Sequence, residues 1–554
     1  TQDNGKFYLM NMTGKETLIT QYLGYKPDTL QLHGQKELVI RLVPASSRLS
    51  EVTIVNTGYQ KLDKEHATGA YAKPDMQVFQ NRSSTMDVVA RLDGLVPGVT
   101  VISGPTGSGS NQFGTGSNQK SVIRGKSSIT LLSEPLYVIN GVQVPNLSNI
   151  NPNDIADITV LKDAAAAAIY GVKAANGVIV ITTKSGKKGE KVHINYSGYI
   201  NFQGKPRPKD GYYLNSSQLI QAEKEIFDPV TYPWSTFAST GTTPNELIMY
   251  NQYRGLISAA QANKSLDSLS HIDNRQQVKD LFYRNAFTTN HTVSASAGSD
   301  IYTIYSSLSY TDNHSNTPGE VNNAYRININ QTITPASWLT IGLATSLNNT
   351  LSSTQHPVTV SPSFLPYQLF EDPNGNPLTI NYIQGLSDAR RADYQARSRI
   401  NLDYIPLDEA NEGYNRNNLL NVNNTANIGV KFWKGLSFQG TYGYQKSAVN
   451  AEGYVDHTSY DLRKELLNFT VAPDAQTQPV YYLPTTGGKY TTRDSNSQNW
   501  TVRNQLVFNT SLRGGKDKLN IQAGQEAMES SDHEHKHTER IRRCIKDLYP
   551  VRLC

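Results

Sequence analysis

Cysteine is almost missing from this chain of 554 residues: Cys544 and Cys554 are the only two, and the 543 residues before them contain none. That excludes a disulfide framework and thiolate metal sites over nearly the whole length, and it fits folding in an oxidising compartment without disulfides. Long apolar runs are missing too. Only 37% of residues are hydrophobic, mean hydropathy is −0.49, and no segment approaches the ~18 consecutive apolar residues of a membrane helix. A helical membrane protein is excluded. A transmembrane β-barrel is not, because its strands alternate apolar and polar residues and average to a soluble hydropathy. Charge of one sign is also lacking: 52 basic and 47 acidic residues leave +5. With no basic stripe, a nucleic-acid footprint is excluded. The opening TQDNGKFYLM has neither the basic n-region nor the apolar h-region of a secretory signal. The expectation is a processed or internally started chain.

Motifs for chemistry are scarce as well. GKSS at 125–128 follows a glycine-rich loop, but Lys120 stands where a phosphate-binding loop needs glycine. Gln112 breaks the dinucleotide spacing of the glycines at 104–116. DHEHKH sets His533, His535 and His537 at alternate positions, where one strand face could present three imidazoles to a metal. No second shell stands near them, so a polar, disordered tail is the expectation. No Ser/His/Asp or Cys/His arrangement can be assembled. The expectation is a protein that is not an enzyme and has no cofactor and no metal.

What the sequence does have is strand. There are 32 tyrosines among many Asn, Ser and Thr, a mixture suited to strands with one wet and one apolar face. Residues 1–47 read as part of a small β-sandwich: KFYLMNM, ETLITQYLGY, TLQLHG and ELVIRLVP are separated by turn residues. LSEVTIVNTGY then leads into a polar linker within 48–79. Two readings stand for SEVTIVNTG: the last strand of the sandwich, or a strand that adds to a partner's sheet edge. Residues 80–187 mix elements in a compact α/β pattern. Helical spacing over STMDVVARLDGL stops before Pro97, and SVIRG, PLYVINGVQV and DIADITVLK precede five alanines and GVIVITTK.

From residue 192 alternation takes over. Ile194, Tyr196, Ile200 and Phe202 share one face and His193, Asn195, Ser197, Asn201 and Gln203 the other. Leu339, Ile341, Leu343 and Leu347 alternate with Thr340, Gly342, Ala344 and Ser346. Similar patterns occupy 288–298, 301–311, 324–334, 424–432, 436–445, 501–512 and 518–525, nine strands in all. Tight turns at 335–337, 433–435 and 513–516 join some pairs. Long polar stretches, 204–285 and 351–423, separate others. Short turns on one side and long loops on the other are how outer-membrane barrels are built. Alternation alone leaves a water-soluble β-sandwich or solenoid open.

DVVARLDGLVPGVTV, SVIRGKSSI, PLYVINGVQV and NPNDIADITVLKDAAAAAIYGVKAANGVIVITTK succeed one another at the spacing of a TonB-dependent transporter plug. Lys162-Asp163, Ile169-Tyr170-Gly171 and Ala174-Ala175-Asn176-Gly177-Val178 resemble the SusC-like nutrient transporters of the Bacteroidetes outer membrane. The run covers about a hundred residues. Residues 6–47 resemble the end of the carboxypeptidase-regulatory-like domain that precedes many such plugs, and 508–526 a strand-turn-strand of the family's barrel.

The resemblance implies a mainly β fold: a partial transmembrane antiparallel β-barrel (188–527) after an α/β plug domain (80–187), part of an N-terminal β-sandwich, and an atypical tail (528–554). It places the TonB box on Ser50, Glu51, Val52, Thr53, Ile54 and Val55. The plug motif is Arg124, Gly125, Lys162, Asp163, Tyr170, Gly171, Asn176 and Gly177. It implies TonB-dependent import of an oligosaccharide or peptide nutrient through the outer membrane. The implied partners are TonB with its ExbB/ExbD energy complex, a SusD-like surface lipoprotein and outer-membrane lipid. A siderophore or cobalamin receptor and a soluble secreted β-rich binding module are the alternatives. Barrels of this class have about 22 strands, and the family pattern stops after Glu526. The chain therefore reads as a fragment truncated at both ends, with a tail that could be out of frame. Within the plug motif, Asp163 is expected at a helix N-terminus and Gly171 at its C-cap. Asn176-Gly177 is expected in a tight turn, with the alanines letting the helix lie close to its sheet.

Overall fold

The computed structural model describes residues 8, 15–20, 25, 28–34, 37–43, 54–59, 61–63, 69–82, 85–103, 119–123, 125, 134–147, 149–163, 168–206, 214–355, 364–433, 435–512 and 517–541. It divides into two compact units, residues 1–68 and 69–554. In the first, β1 (Thr17–Thr20) and β2 (Asp28–Gln31) form an antiparallel pair. Residues 37–43, expected as a further strand, form none, and KFYLMNM lies outside the described residues apart from Tyr8. β3 (Ile54–Asn56) pairs antiparallel with β4 (Lys61–Asp63). Asn56 Oδ1 accepts the Gly58 N–H at 2.9 Å, and Gly58 takes a φ of +83° through the turn. The SEVTIVNTG stretch is thus neither isolated nor part of the β1–β2 sheet: its described end is one arm of a separate hairpin.

The second unit opens with β5 (Tyr71–Ala72), α1 (Met76–Asn81), α2 (Val88–Leu92), β6 (Val99–Ser103), β7 (Gln119–Ile123), β8 (Leu136–Ile139), β9 (Val142–Val144), β10 (Ile155–Leu161) and β11 (Val178–Thr183). Both helices begin on an aspartate whose carboxylate accepts two first-turn N–H groups, Asp75 for α1 and Asp87 for α2, as an N-cap should. A five-stranded sheet runs β5-β10-β11-β8-β9, with only the β11–β8 pair parallel. β11 is central, so its Val-Ile-Val-Ile run is covered on both faces. Phe79, Val88, Leu92, Ile155, Ile158, Ile179 and Ile181 close the core. Because β5 and α1 belong to this sheet and core, the linker read over 48–79 is shorter than expected.

The remaining strands are β12 (His193–Gln203), β13 (Ala286–Gly298), β14 (Tyr302–His314), β15 (Val321–Ala336), β16 (Leu339–Gln355), β17 (Gly413–Trp433), β18 (Leu436–Asp456), a short pair β19 (Thr470–Val471) and β20 (Val480–Tyr481), β21 (Gly488–Leu512) and β22 (Asp517–Ile541). Nine of them form one antiparallel sheet, β12 to β18 followed by β21 and β22, each beside its neighbour in sequence. They are the nine that the alternation predicts. β22 runs to Ile541, so DHEHKH, read as a polar, disordered tail, is strand, as are the first fourteen residues of the atypical tail (528–554). Its backbone pairs with β21 throughout, and a ladder needs no apolar alternation.

One sheet face carries the apolar set. Tyr196, Val293, Leu308, Ile327, Leu347 and Val422 lie side by side across β12 to β17, and Tyr196, Val293, Leu308 and Ile327 are among the exposed large side chains. A row of this kind suits lipid. The opposite face is polar and buried: Thr292, Ser309, Asn328, Asn330, Asn348, Asn421 and Gln445 lie there.

At the end away from the short turns the long connections are helical rather than irregular. In the first connection helices Ser216–Ile226, Pro244–Tyr253 and Ala259–Ser270 pack with each other and Arg275–Leu281 follows them, while Asp388–Ser398 belongs to the second connection. Ile220, Met249 and Leu266 meet Tyr367, and Phe282 meets Phe370 and Ile380. Three of these helices start with a capping box: Asn215/Gln218, Thr243/Glu246 and Ser258/Gln261.

Glu409 ties two of the outer connections together. Its carboxylate accepts the Tyr460 N–H at 2.8 Å, with Arg463 at 3.6 Å. Burial, only partly offset by Tyr460 and Arg463, pushes its pKa up to about 7. Between the ordinary carboxylate range and pH 7 the folded state therefore binds the extra proton, so stability falls as pH rises through that window. Thermal unfolding of this lobe should show a loss on the order of 3 kcal/mol from pH 4.5 to 8. Glu409→Gln should flatten that dependence; an unchanged slope in the variant would refute the assignment.

Candidate functional site: a plug seated against a polar wall

The sequence-predicted plug residues build the scaffold of the plug rather than its contact with the sheet. Lys162 donates its N–H to Ala70 O at 2.8 Å, and the Asp163 carboxylate accepts the Ala70 N–H at 2.7 Å. Asp163 thereby fastens the start of β5 to the end of β10, and the helix expected to begin at it falls on residues outside the described ones. Residues 164–167, the core of the alanine run, lie outside the described residues. Beyond them, two 3-10 turns over Ala168–Ala174 join at Gly171, with φ +62° and ψ −149°. That pair of angles is open to glycine and lies outside the left-handed C-cap region expected for it. Tyr170 is buried.

Asn176 donates to Glu134 O at 3.3 Å. Gly177 has φ +87°, and a Cβ there would stand 2.8 Å from both Leu161 O and Ile123 Cδ1. Glycine is required at this turn by conformation and by space. Gly125 also has a positive φ, +91°. Arg124, like Ser50, Glu51, Val52 and Thr53, lies outside the described residues, while Ile54 and Val55 are in β3. A further link stands near the plug's start, where Lys73 Nζ and Asp157 Oδ1 are 2.8 Å apart.

The contact between plug and sheet is made by residues that carry no recognisable motif. On the plug they come from β9, from the asparagine-rich loop before β10 and from the end of β11. Asn151 Nδ2 donates to Thr292 Oγ1 at 3.2 Å, and Asn153 Nδ2 reaches Asn290 and Thr292. Asn149 Oδ1 accepts from Asn421 at 2.8 Å and from Asn348 at 3.2 Å. Asn330 donates to Thr183 Oγ1 at 2.7 Å, and Gln445 to Gln143 O at 2.9 Å. Amides and hydroxyls of this kind satisfy one another without desolvating a full charge.

Ionisable groups stand among them as well. Asp154, 2% exposed, accepts the Tyr305 hydroxyl at 2.9 Å and feels the positive charges of Lys184 and Arg326. Close approach is allowed by missing side chains. A Cβ at Gly443 of the wall would stand 2.7 Å from Val142 of the plug. The run NLSNINPND was the available signal: a polar loop between two buried strands needs partners for its amides.

No group of three or more His, Cys, Asp or Glu placed to hold a metal occurs among the described residues. His533, His535 and His537 stand exposed along β22, opposite Asn496, Asp494 and Thr492.

The family model described as the TonB-dependent Receptor Plug Domain matches residues 63–178. The TonB-dependent receptor SusC of Bacteroides thetaiotaomicron is 35% identical over 213 residues, 36% of this chain and 20% of that protein. A TonB-dependent receptor of Formosa agariphila is 34% identical over 203 residues, 36% of this chain and 18% of that protein. The aligned stretch thus spans about a fifth of these relatives' own length. Among solved structures, the RagAB peptide importer in its open-open state superposes with a TM-score of 0.62 at 19% identity, covering 88% of this chain and 50% of that one. That likeness concerns the fold.

Proposed function

We propose that this chain, which belongs to the SusC-like TonB-dependent receptors of the outer membrane, supplies the plug and part of the wall of an importer for an oligosaccharide or peptide nutrient. The observation that carries the reading is the pairing of opposite faces on one sheet. Apolar residues point outward as lipid requires, while asparagines and threonines point inward and hold a plug by hydrogen bonds that can be exchanged for others. Among the described residues the sheet is open, with β12 and β22 as its edges. Unpaired edge groups in lipid cost several kcal/mol each, so further strands close the wall in the working receptor.

Energy comes from TonB and its ExbB/ExbD complex. TonB pairs with residues 50–55 by strand addition, displacing the weak β3–β4 hairpin of three residues a side. Tension then reaches β5, which is held to β10 by two residue pairs, the Asp163 contact and Lys73–Asp157. A SusD-like lipoprotein works with the outer lobe. Uptake by this route requires no covalent chemistry. Deleting residues 50–55 from the closed receptor should abolish energised uptake and leave substrate binding at the cell surface intact. Uptake that survives the deletion would show that the coupling segment lies elsewhere.

A further inference from the structure

On the outward face of the sheet a groove of about 570 Å³ opens near the outer lobe. Two rows of paired residues floor it. Asn323, Leu351, Asn418, Asn450 and Asp494 stand side by side across β15 to β18 and β21, and Val321, Ser353, Arg416, Glu452 and Thr492 form the next row. Asn323, Leu351 and Asn418 each lie four residues from Ile327, Leu347 and Val422 of the apolar row. They therefore share its face, about 13 Å further along the strands. Followed the other way, the second row runs from Val321 to His314, Phe287 and Phe202. Strands of such a wall tilt by ~35–45°, so a row of pairs climbs by about 3 Å per strand. Its change from phenylalanine to Arg416 and Glu452 is the change from an aromatic girdle at the lipid boundary to the water above. The groove lies across that boundary.

We propose that this groove seats the sugar headgroup of an outer-leaflet glycolipid. The inference rests on the reading of the outward face as lipid-facing. Among the described lining residues two carboxylates, Glu452 and Asp494, stand against one guanidinium, Arg416. That guanidinium is already committed, with Glu452 at 3.4 Å and the Tyr414 ring centroid at 4.4 Å. Glu452 also accepts the Tyr490 hydroxyl at 2.8 Å. A phosphate headgroup would meet net negative charge here. The remaining acceptors are spread out. Asn323 Oδ1, buried and without a protein partner among the described residues, stands at one end. The Asp494 carboxylate stands at the other and accepts the Asn450 amide at 2.6 Å through one oxygen. Four strand spacings, about 19 Å, separate the two ends. A lone ammonium or phosphate reaches one point of such a line, whereas hydroxyls on linked sugar rings donate along it. Leu351, 40% exposed, and Val321 give the groove an apolar lip toward the bilayer. Acyl chains lying on the apolar row below tether the headgroup and raise its effective concentration at the groove.

Thiol protection in lipid nanodiscs tests this. In the closed receptor carrying Cys544→Ser and Cys554→Ser, Ser353→Cys places one thiol in the groove. Ser265→Cys, exposed on the helix Ala259–Ser270, is the control. The probe is a diglucosyl diacylglycerol in phosphatidylcholine discs. At about ten times its half-saturating fraction it should slow modification of position 353 by a membrane-impermeant reagent about tenfold and leave position 265 unchanged. Phosphatidylglycerol and phosphatidylethanolamine with the same chains should change neither, nor should free maltose at the same total concentration. No slowing by the glycolipid, or equal slowing by either phospholipid or by maltose, would overturn the proposal. Thr492→Cys, at the far side of the groove, repeats the measurement should Ser353→Cys fail to fold. Failure of the lipid-facing reading would show separately, as a Leu347→Cys thiol on the apolar row that reacts in the discs as fast as Ser265→Cys.

Discussion

Asp154→Leu should unseat the plug. Among the described residues Asp154 is the one buried acid among the amides and hydroxyls that join plug to wall. It accepts the Tyr305 hydroxyl and balances Lys184 and Arg326. Leucine keeps the branched four-atom shape but removes both oxygens, so Tyr305 loses its acceptor and Arg326 the nearby carboxylate. A buried cation left unpaired and a buried hydroxyl left without its acceptor together cost about 3–5 kcal/mol. The expected results are faster proteolysis of the plug in detergent-solubilised receptor and a leak to large hydrophilic antibiotics in cells. Asp154→Asn keeps an acceptor for Tyr305 and should fall between the two. A leucine variant as protease-resistant and as tight as the parent would show that Asp154 does not hold the plug.

Ile327→Arg should block insertion of the sheet into a membrane. Ile327 lies in the outward apolar row between Leu308 and Leu347, where an arginine at mid-bilayer costs about 2–4 kcal/mol. The neighbouring position makes the contrast, because Arg326 faces inward, donating to Thr311 Oγ1 at 3.1 Å. Sequence and register therefore agree to one residue. A slip by one would carry Arg326 into lipid and every inward asparagine with it. Folding into lipid vesicles, read out by the shift in electrophoretic mobility of heated against unheated samples, checks this. Normal insertion of the variant would mean that this row does not face lipid.

The nine strands were legible because the membrane imposes the alternation. Their lengths were not. β17, read over 424–432, begins at Gly413; β18, read over 436–445, ends at Asp456; β21, read from 501, begins at Gly488. Toward the outer ends of those extensions residues such as Arg416 and Glu452 pair across strands, and the apolar period disappears. The backbone ladder continues regardless.

The helical lobe was missed for a different reason. Its helices bury narrow stripes, Ile220, Met249 and Leu266 among them, inside sequence that is polar on average. Their N-termini were nonetheless written in NSSQ, TPNE and SAAQ, each a capping box. At the site, the motif residues that carry the family resemblance shape the plug internally. The asparagines that seat it on the wall carry no motif of their own, since their partners lie 137 to 272 residues away.

The central claim is that energy from TonB opens this plug. Accumulation of a labelled nutrient peptide should be compared in cells producing the receptor with and without TonB, at equal receptor levels in the outer membrane. The account predicts saturable accumulation in the first and surface binding alone in the second. Equal accumulation without TonB would contradict it.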